Sequence, residues 1–147
     1  MWRTLIVAAL LAGCAQLPPS PQDIEAKKFE SIPGKAALYV VRDPMSVGLG
    51  APLWLGQGAQ ITLWQGNYLR WVVEPGSYTI AGIGASTASI TIQAQAGKIY
   101  FVRFRVDGNT RIGVVSSALE LMDDQAGRAL VKQAVLVVPE SQVKIQM

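Results

Sequence analysis

From Ser86 to Ala96 the chain alternates without a break. Thr87, Ser89, Thr91, Gln93 and Gln95 fall on one side, and Ala88, Ile90, Ile92, Ala94 and Ala96 on the other. A period of two over this length predicts an antiparallel strand with one face buried and one in water. Asp or Gly-rich punctuation on either side repeats the theme. Ala36 to Arg42 predicts a first strand, stopped by Asp43-Pro44. Leu53 to Leu55 and Gln60 to Trp64 flank Gly56-Gln57-Gly58-Ala59, a hairpin signal. Tyr68 to Val73 leads into Glu74-Pro75-Gly76, where proline presets φ and glycine supplies a positive φ for a tight turn. Ser77 to Ile83 follows, broken by Gly84.

Ala96-Gly97-Lys98 turns the chain into Ile99 to Val106. There Tyr100, Val102, Phe104 and Val106 share one side, opposite Phe101, Arg103 and Arg105. Asp107-Gly108-Asn109 predicts another turn, and Thr110 to Met122 one or two further strands. Asp123 or Asp124 can cap a short helix to about Gln133, with Ala126, Leu130 and Val131 as its apolar face. Gly127 within it costs about 1 kcal/mol relative to alanine. Ala134 to Val138 reads as a last strand, stopped by Pro139. In the tail Val143 and Ile145 alternate and suit a sheet edge. Turns every 8–12 residues between short strands predict a mainly all-β domain: an antiparallel β-sandwich of about seven or eight strands with one short C-terminal helix.

The start of the chain has a different character. Arg3 precedes a short apolar run, Leu5 to Leu11, and Leu11-Ala12-Gly13-Cys14 follows. A basic start, an apolar middle and small residues before a cut describe a secretory signal peptide. The run is too short to span a bilayer, which takes roughly 20 apolar residues. The tetrapeptide Leu11-Ala12-Gly13-Cys14 resembles the lipobox of bacterial lipoproteins. The resemblance implies a diacylglycerol on Cys14, cleavage before it, and a membrane partner through that anchor. Ala15, rather than aspartate, then stands second in the mature chain and implies sorting to the outer membrane, facing the periplasm. Pro18, Pro19 and Pro21 make an extended spacer of about 3.1 Å per residue. The expected organisation is a signal peptide over 1–13, lipidated Cys14 with a Pro-rich tether over 14–34, a sandwich over 35–138 and a tail over 139–147.

Composition narrows the chemistry. The chain has 147 residues, enough for one domain with a tether, and a formal net charge of +3, too mild to argue for nucleic acid. It has no histidine, the usual neutral-pH base and commonest metal ligand. Cys14 is the only cysteine, so lipidation leaves no thiol for catalysis, zinc or a disulfide. No catalytic residue, metal site or cofactor is expected.

Further residues carry a resemblance. Pro33 to Arg42, the glycines at Gly56 and Gly58, Tyr68 to Ile80, Gly97 to Arg103, and Leu119 to Met122 follow one another in order. Over roughly Lys35 to Lys132 this order resembles small bacterial lipoproteins of unknown function with a PEGA-like β-sandwich. Gly56-Gln57-Gly58 departs from that family's acidic residue before glycine. The resemblance implies a fold and an envelope location, and no catalytic residues.

Two groups of side chains are candidate binding residues. Arg103 and Arg105 project from one strand face, and Arg70 joins them if its strand is close; such a basic strip suits lipid headgroups, phosphates or a glycan carboxylate. The competing reading is a solvated face or edge charges against aggregation. Trp54 and Trp64 flank one hairpin and suit an exposed cross-strand pair for a sugar ring or a protein partner, whereas Trp71 with Leu69 and Val73 reads as core. Gly48-Leu49-Gly50 and Gly82-Ile83-Gly84 precede no helix and make poor phosphate cradles. Asp123-Asp124 reads as a helix cap, and no spacing motif links Ser116-Ser117 with Lys132. The expected function is therefore a non-catalytic docking module for an envelope protein or glycan. The alternatives are an envelope hydrolase using paired carboxylates among Asp43, Glu74, Asp107 and Glu120, or a structural or stress lipoprotein without a stable partner.

Overall fold

The structure, a computed structural model, describes residues 18–48, 50–82, 88–109, 112 and 114–139. Residues 1–13, expected to be a signal peptide, Cys14 and the tail from Glu140 lie outside the described residues.

The elements run α1 (Pro21–Ala26), β1 (Ala36–Arg42), β2 (Ala51–Leu55), β3 (Ile61–Leu63), β4 (Asn67–Val73), β5 (Gly76–Gly82), β6 (Ser89–Ala94), β7 (Ile99–Asn109), β8 (Val114–Met122), α2 (Asp124–Gln133) and β9 (Val135–Leu136). They form one sheet in the order β8-β7-β1-β4-β9 and a second in the order β3-β2-β5-β6. The sandwich expected from the alternation is present. Its pairings are antiparallel except β1 with β7 and β4 with β9, which are parallel.

The inner faces meet in one core. Leu38 and Val40 of β1, Leu69 and Trp71 of β4, and Val102 and Phe104 of β7 pack against Leu53, Leu63, Ile80 and Ile92 of the second sheet. Trp71 is core, as its neighbours Leu69 and Val73 suggested. On β7 the two predicted faces separate as expected: Val102, Phe104 and Val106 point inward, and Phe101 points to the opposite side.

That opposite side is also covered. Ala37, Tyr39 and Val41 of β1, Tyr68 of β4 and Phe101 of β7 form a second cluster with Ala26, Phe29, Val131 and Ala134. Consequently β1 is buried at all seven positions, which explains its unbroken apolar run. The molecule has three layers: helices, a central sheet and an outer sheet.

The helical layer contains a segment that the sequence reading placed in the tether. Ser20 caps α1 by accepting from the Asp23 N–H at 3.1 Å, and Pro21 opens it. Phe29 follows with a φ of 54°, uncommon for a non-glycine residue. This turn lodges its ring 5.6 Å from Tyr39 and 5.8 Å from Phe101. The chain from Pro21 to Phe29 thus belongs to the packed fold.

Two further differences have simple causes. The expected turn at Asp107-Gly108-Asn109 is instead the end of β7, paired through Gly108 with Val115 and Asn109 with Val114. Glycine adopts the φ of 134° found at Gly108 and so lets the strand continue. Gly127, costly for a helix by propensity, meets the Phe101 ring so closely that a Cβ would collide with it. Its missing side chain lets α2 approach the sheet.

Candidate functional site

Arg103 and Arg105 share one face of β7 as expected, but Arg70 does not join them. Arg70 lies on β4 opposite Tyr39, whereas Arg103 lies on β7 beside Val41. Strand β1 separates them, with the Tyr39 and Tyr68 rings on the same face. Arg103 faces Asp43 at 3.8 Å and Glu120 at 3.7 Å, and Arg105 holds Asp107 at 2.6 Å. The Asp107 hydrogen bond and charge raise the pKa of Arg105. Asp43, Asp107 and Glu120 are therefore partnered by these arginines, while Glu74 pairs elsewhere with Lys35 at 2.9 Å.

The tryptophan pair is also undone by register. In the β2–β3 hairpin Leu53 faces Ile61 and Ala51 faces Leu63. Trp54 thus sits at the turn end, beside Ala81 of β5, while Trp64 reaches the other end and lies over Gly50. Trp54 is half-buried on the outer face of its sheet; Trp64 is 54% exposed.

The remaining sequence candidates are structural. Asp123 caps α2 by accepting from the Ala126 N–H at 2.8 Å, and Asp124 pairs with Arg128 at 2.7 Å. Ser116 donates to the Asp107 carbonyl at 3.5 Å, and Ser117 is buried beside Gly82. Among the described residues no hydrogen bond joins either serine to Lys132. Leu49, Ile83 and Gly84 lie outside the described residues. Among the described residues no group of three or more His, Cys, Asp or Glu could hold a metal, and no helix is long and apolar enough to cross a membrane.

What surrounds Trp64 is more informative. Arg42 ends β1 on its inner side and is fully buried. Its Nε donates to Ser46 Oγ at 2.8 Å, Nη1 to the Leu63 carbonyl at 2.8 Å and Nη2 to the Val47 carbonyl at 2.9 Å. Its guanidinium lies 5.6 Å from the Phe104 ring centre. Among the described residues no carboxylate pairs with it, and burial lowers its pKa. Gln65 Nε2 donates to the Ser46 carbonyl. These bonds tie the loop after β1 to the end of β3. The two tied segments carry Met45, 87% exposed, with Val47 and Trp64, also exposed. The result is an apolar tip of three exposed side chains on two hydrogen-bonded segments.

Asp23 provides a second buried anchor, 2% exposed. Its Oδ1 accepts from Tyr68 Oη at 2.7 Å and from the Leu136 N–H at 3.2 Å, and its Oδ2 from Lys27 Nζ at 2.9 Å. Lys27 also donates to the Ala134 carbonyl at 2.7 Å, and Tyr39 Oη to the Ala26 carbonyl at 2.7 Å. Burial, then the Asp23 hydrogen bond, pushes the Tyr68 hydroxyl well above its ordinary pKa; burial also raises that of Tyr39. Sequence reasoning missed both anchors. The signals were an arginine ending an apolar strand, and Ser20-Pro21 followed by the Asp23/Lys27 spacing of four.

Two cavities flank the segment Val137–Pro139. One, about 690 Å³, opens between the sheets beside Leu55, Ile61 and Trp71. The other, about 660 Å³, lies between α1 and the outer face of β4, and Arg70 lines it. Compared with protein-family models and with curated proteins, the chain matches none.

Proposed function

We propose that this chain is a lipid-anchored, non-catalytic docking module of the bacterial cell envelope, held at the outer membrane and facing the periplasm. The observation that carries the docking reading is the apolar tip of Met45, Val47 and Trp64 on loops fixed by Arg42. An exposed tryptophan on a pre-ordered base is the usual chemistry of a protein-binding hot spot, because little side-chain freedom is lost on contact. Met45 and Val47 offer no hydrogen bonds to sugar hydroxyls, so a protein partner fits better than a glycan.

The address rests on Leu11-Ala12-Gly13-Cys14 and on the lipoprotein resemblance of the domain. Six residues lie between Cys14 and Pro21, seven steps along the backbone, so a fully extended connection reaches at most about 25 Å. With α1 packed on the sheet, a lipidated Cys14 would hold the sandwich close to its membrane.

The test is acyl labelling in growing bacterial cells with fractionation of the envelope. Wild type should take up labelled palmitate and sediment with outer membrane, and Cys14→Ser should do neither. Equal labelling of both chains, or none in wild type, would remove the anchor from the account.

A further inference from the structure

The cavity beneath α1 has an unusual balance of groups. Its walls are mostly apolar, from Pro21, Val72, Leu136, Val137 and Pro139, and Arg70 lies among them. The Arg70 Nε is buried and, among the described residues, has no hydrogen-bond partner. Among those residues no carboxylate lies within ion-pair distance of Arg70. Glu25 shares the cavity wall, but its carboxylate is held by Lys28 at 2.6 Å. The guanidinium is kept in place by the Tyr39 ring, 5.7 Å from its centre. The Asp23 anchor fixes α1 and Leu136 on the two sides.

Arg70 as a whole is half-buried and, among the described residues, makes no side-chain hydrogen bond or ion pair, so an incoming carboxylate can meet the accessible part of its guanidinium with a charge-assisted bond. Apolar walls around one such donor select a molecule with a single anionic head and an aliphatic body. About 660 Å³ lies within the range of small-molecule sites. We infer that this cavity binds an aliphatic monocarboxylate, its head on Arg70 and its chain along Val72 and Val137. The site uses none of the residues at the Trp64 tip, so it stands or falls independently of docking.

The probe is octanoate, added to the full lipidated chain in lipid nanodiscs. The readouts are the NMR signals of the Arg70 Nε–H and of the Leu136 and Val137 amides. Octanoate should shift them saturably, and octanol, with nearly the same body and no charge, should bind at least about tenfold more weakly. Arg70→Gln, read at the two amides, should weaken octanoate about tenfold or more, with Arg70→Lys in between. Val72→Trp should fill the cavity and abolish the shift. No saturable shift in wild type, equal binding of octanol, or unchanged octanoate binding in Arg70→Gln would each overturn the site. Should Arg70→Gln lose its folded spectrum, Val72→Trp decides: retained octanoate binding overturns the inference.

Discussion

The two outer faces of this sandwich have opposite fates. On the central sheet, Tyr39, Val41, Tyr68 and Phe101 are buried beneath α1 and the longer helix α2. On the second sheet, Ser77, Thr79, Thr91 and Gln93 stand exposed, and among the described residues their side chains bond in pairs, Thr79 to Thr91 at 2.9 Å and Gln93 to Ser77 at 3.1 Å. Both faces belong to strands of similar length. The difference lies in what each asks of its surroundings: the first needs a lid, and the second is complete in water. The lid is in turn held by polar groups, with Asp23, Lys27, Tyr39 and Tyr68 binding α1 to the sheet.

The covered face should break most severely. Asp23→Ala leaves Tyr68, Lys27 and the Leu136 N–H without their acceptor, and we expect a loss of about 3–5 kcal/mol in urea unfolding. A loss under about 1 kcal/mol would mean that α1 contributes little. Gly127→Ala should cost about 1–3 kcal/mol despite alanine's better helix propensity, because its Cβ meets the Phe101 ring. Stabilisation instead would show that α2 can move outward freely.

A third prediction uses pH. An unfolded tyrosine loses its proton near pH 10, whereas folded Tyr68 and Tyr39 hold theirs to higher pH. Below about pH 10 their contribution is fully present. Above it the unfolded chain binds fewer protons than the folded one, so stability falls as pH rises. Tyr68→Phe should cost about 1 kcal/mol at neutral pH and make the alkaline decline shallower. Denaturation curves taken from pH 8 to 11 would show an unchanged slope if Tyr68 were not involved. The smallest effect belongs to the open face: Thr91→Val should change stability by no more than about 0.5 kcal/mol.

The same contrast explains what could be read from the sequence. Alternation in β6 was legible because one side meets water and the other the core. In β1 every position is buried, so the strand shows no period, and nothing in it announces a helical layer. Helix α1 was hidden for the converse reason. It is six residues long, and its most buried members include Asp23, a residue type that ordinarily faces solvent. Parallel pairing of β1 with β7 leaves no local mark, so the separation of Arg70 from Arg103 could not be foreseen. Trp64 was singled out as exposed and is, yet its setting depends on Arg42, whose partners are twenty-one residues or fewer away and all backbone or serine.

Docking through the Trp64 tip is the central claim, and the two faces supply its control. A photo-crosslinking residue placed at Trp64, and separately at Thr91, in the lipidated chain in living cells compares the tip with the open polar face directly. The account predicts a discrete protein adduct from position 64 that disappears with Cys14→Ser, and none from position 91. No adduct from position 64, or the same adducts from both positions, would contradict it.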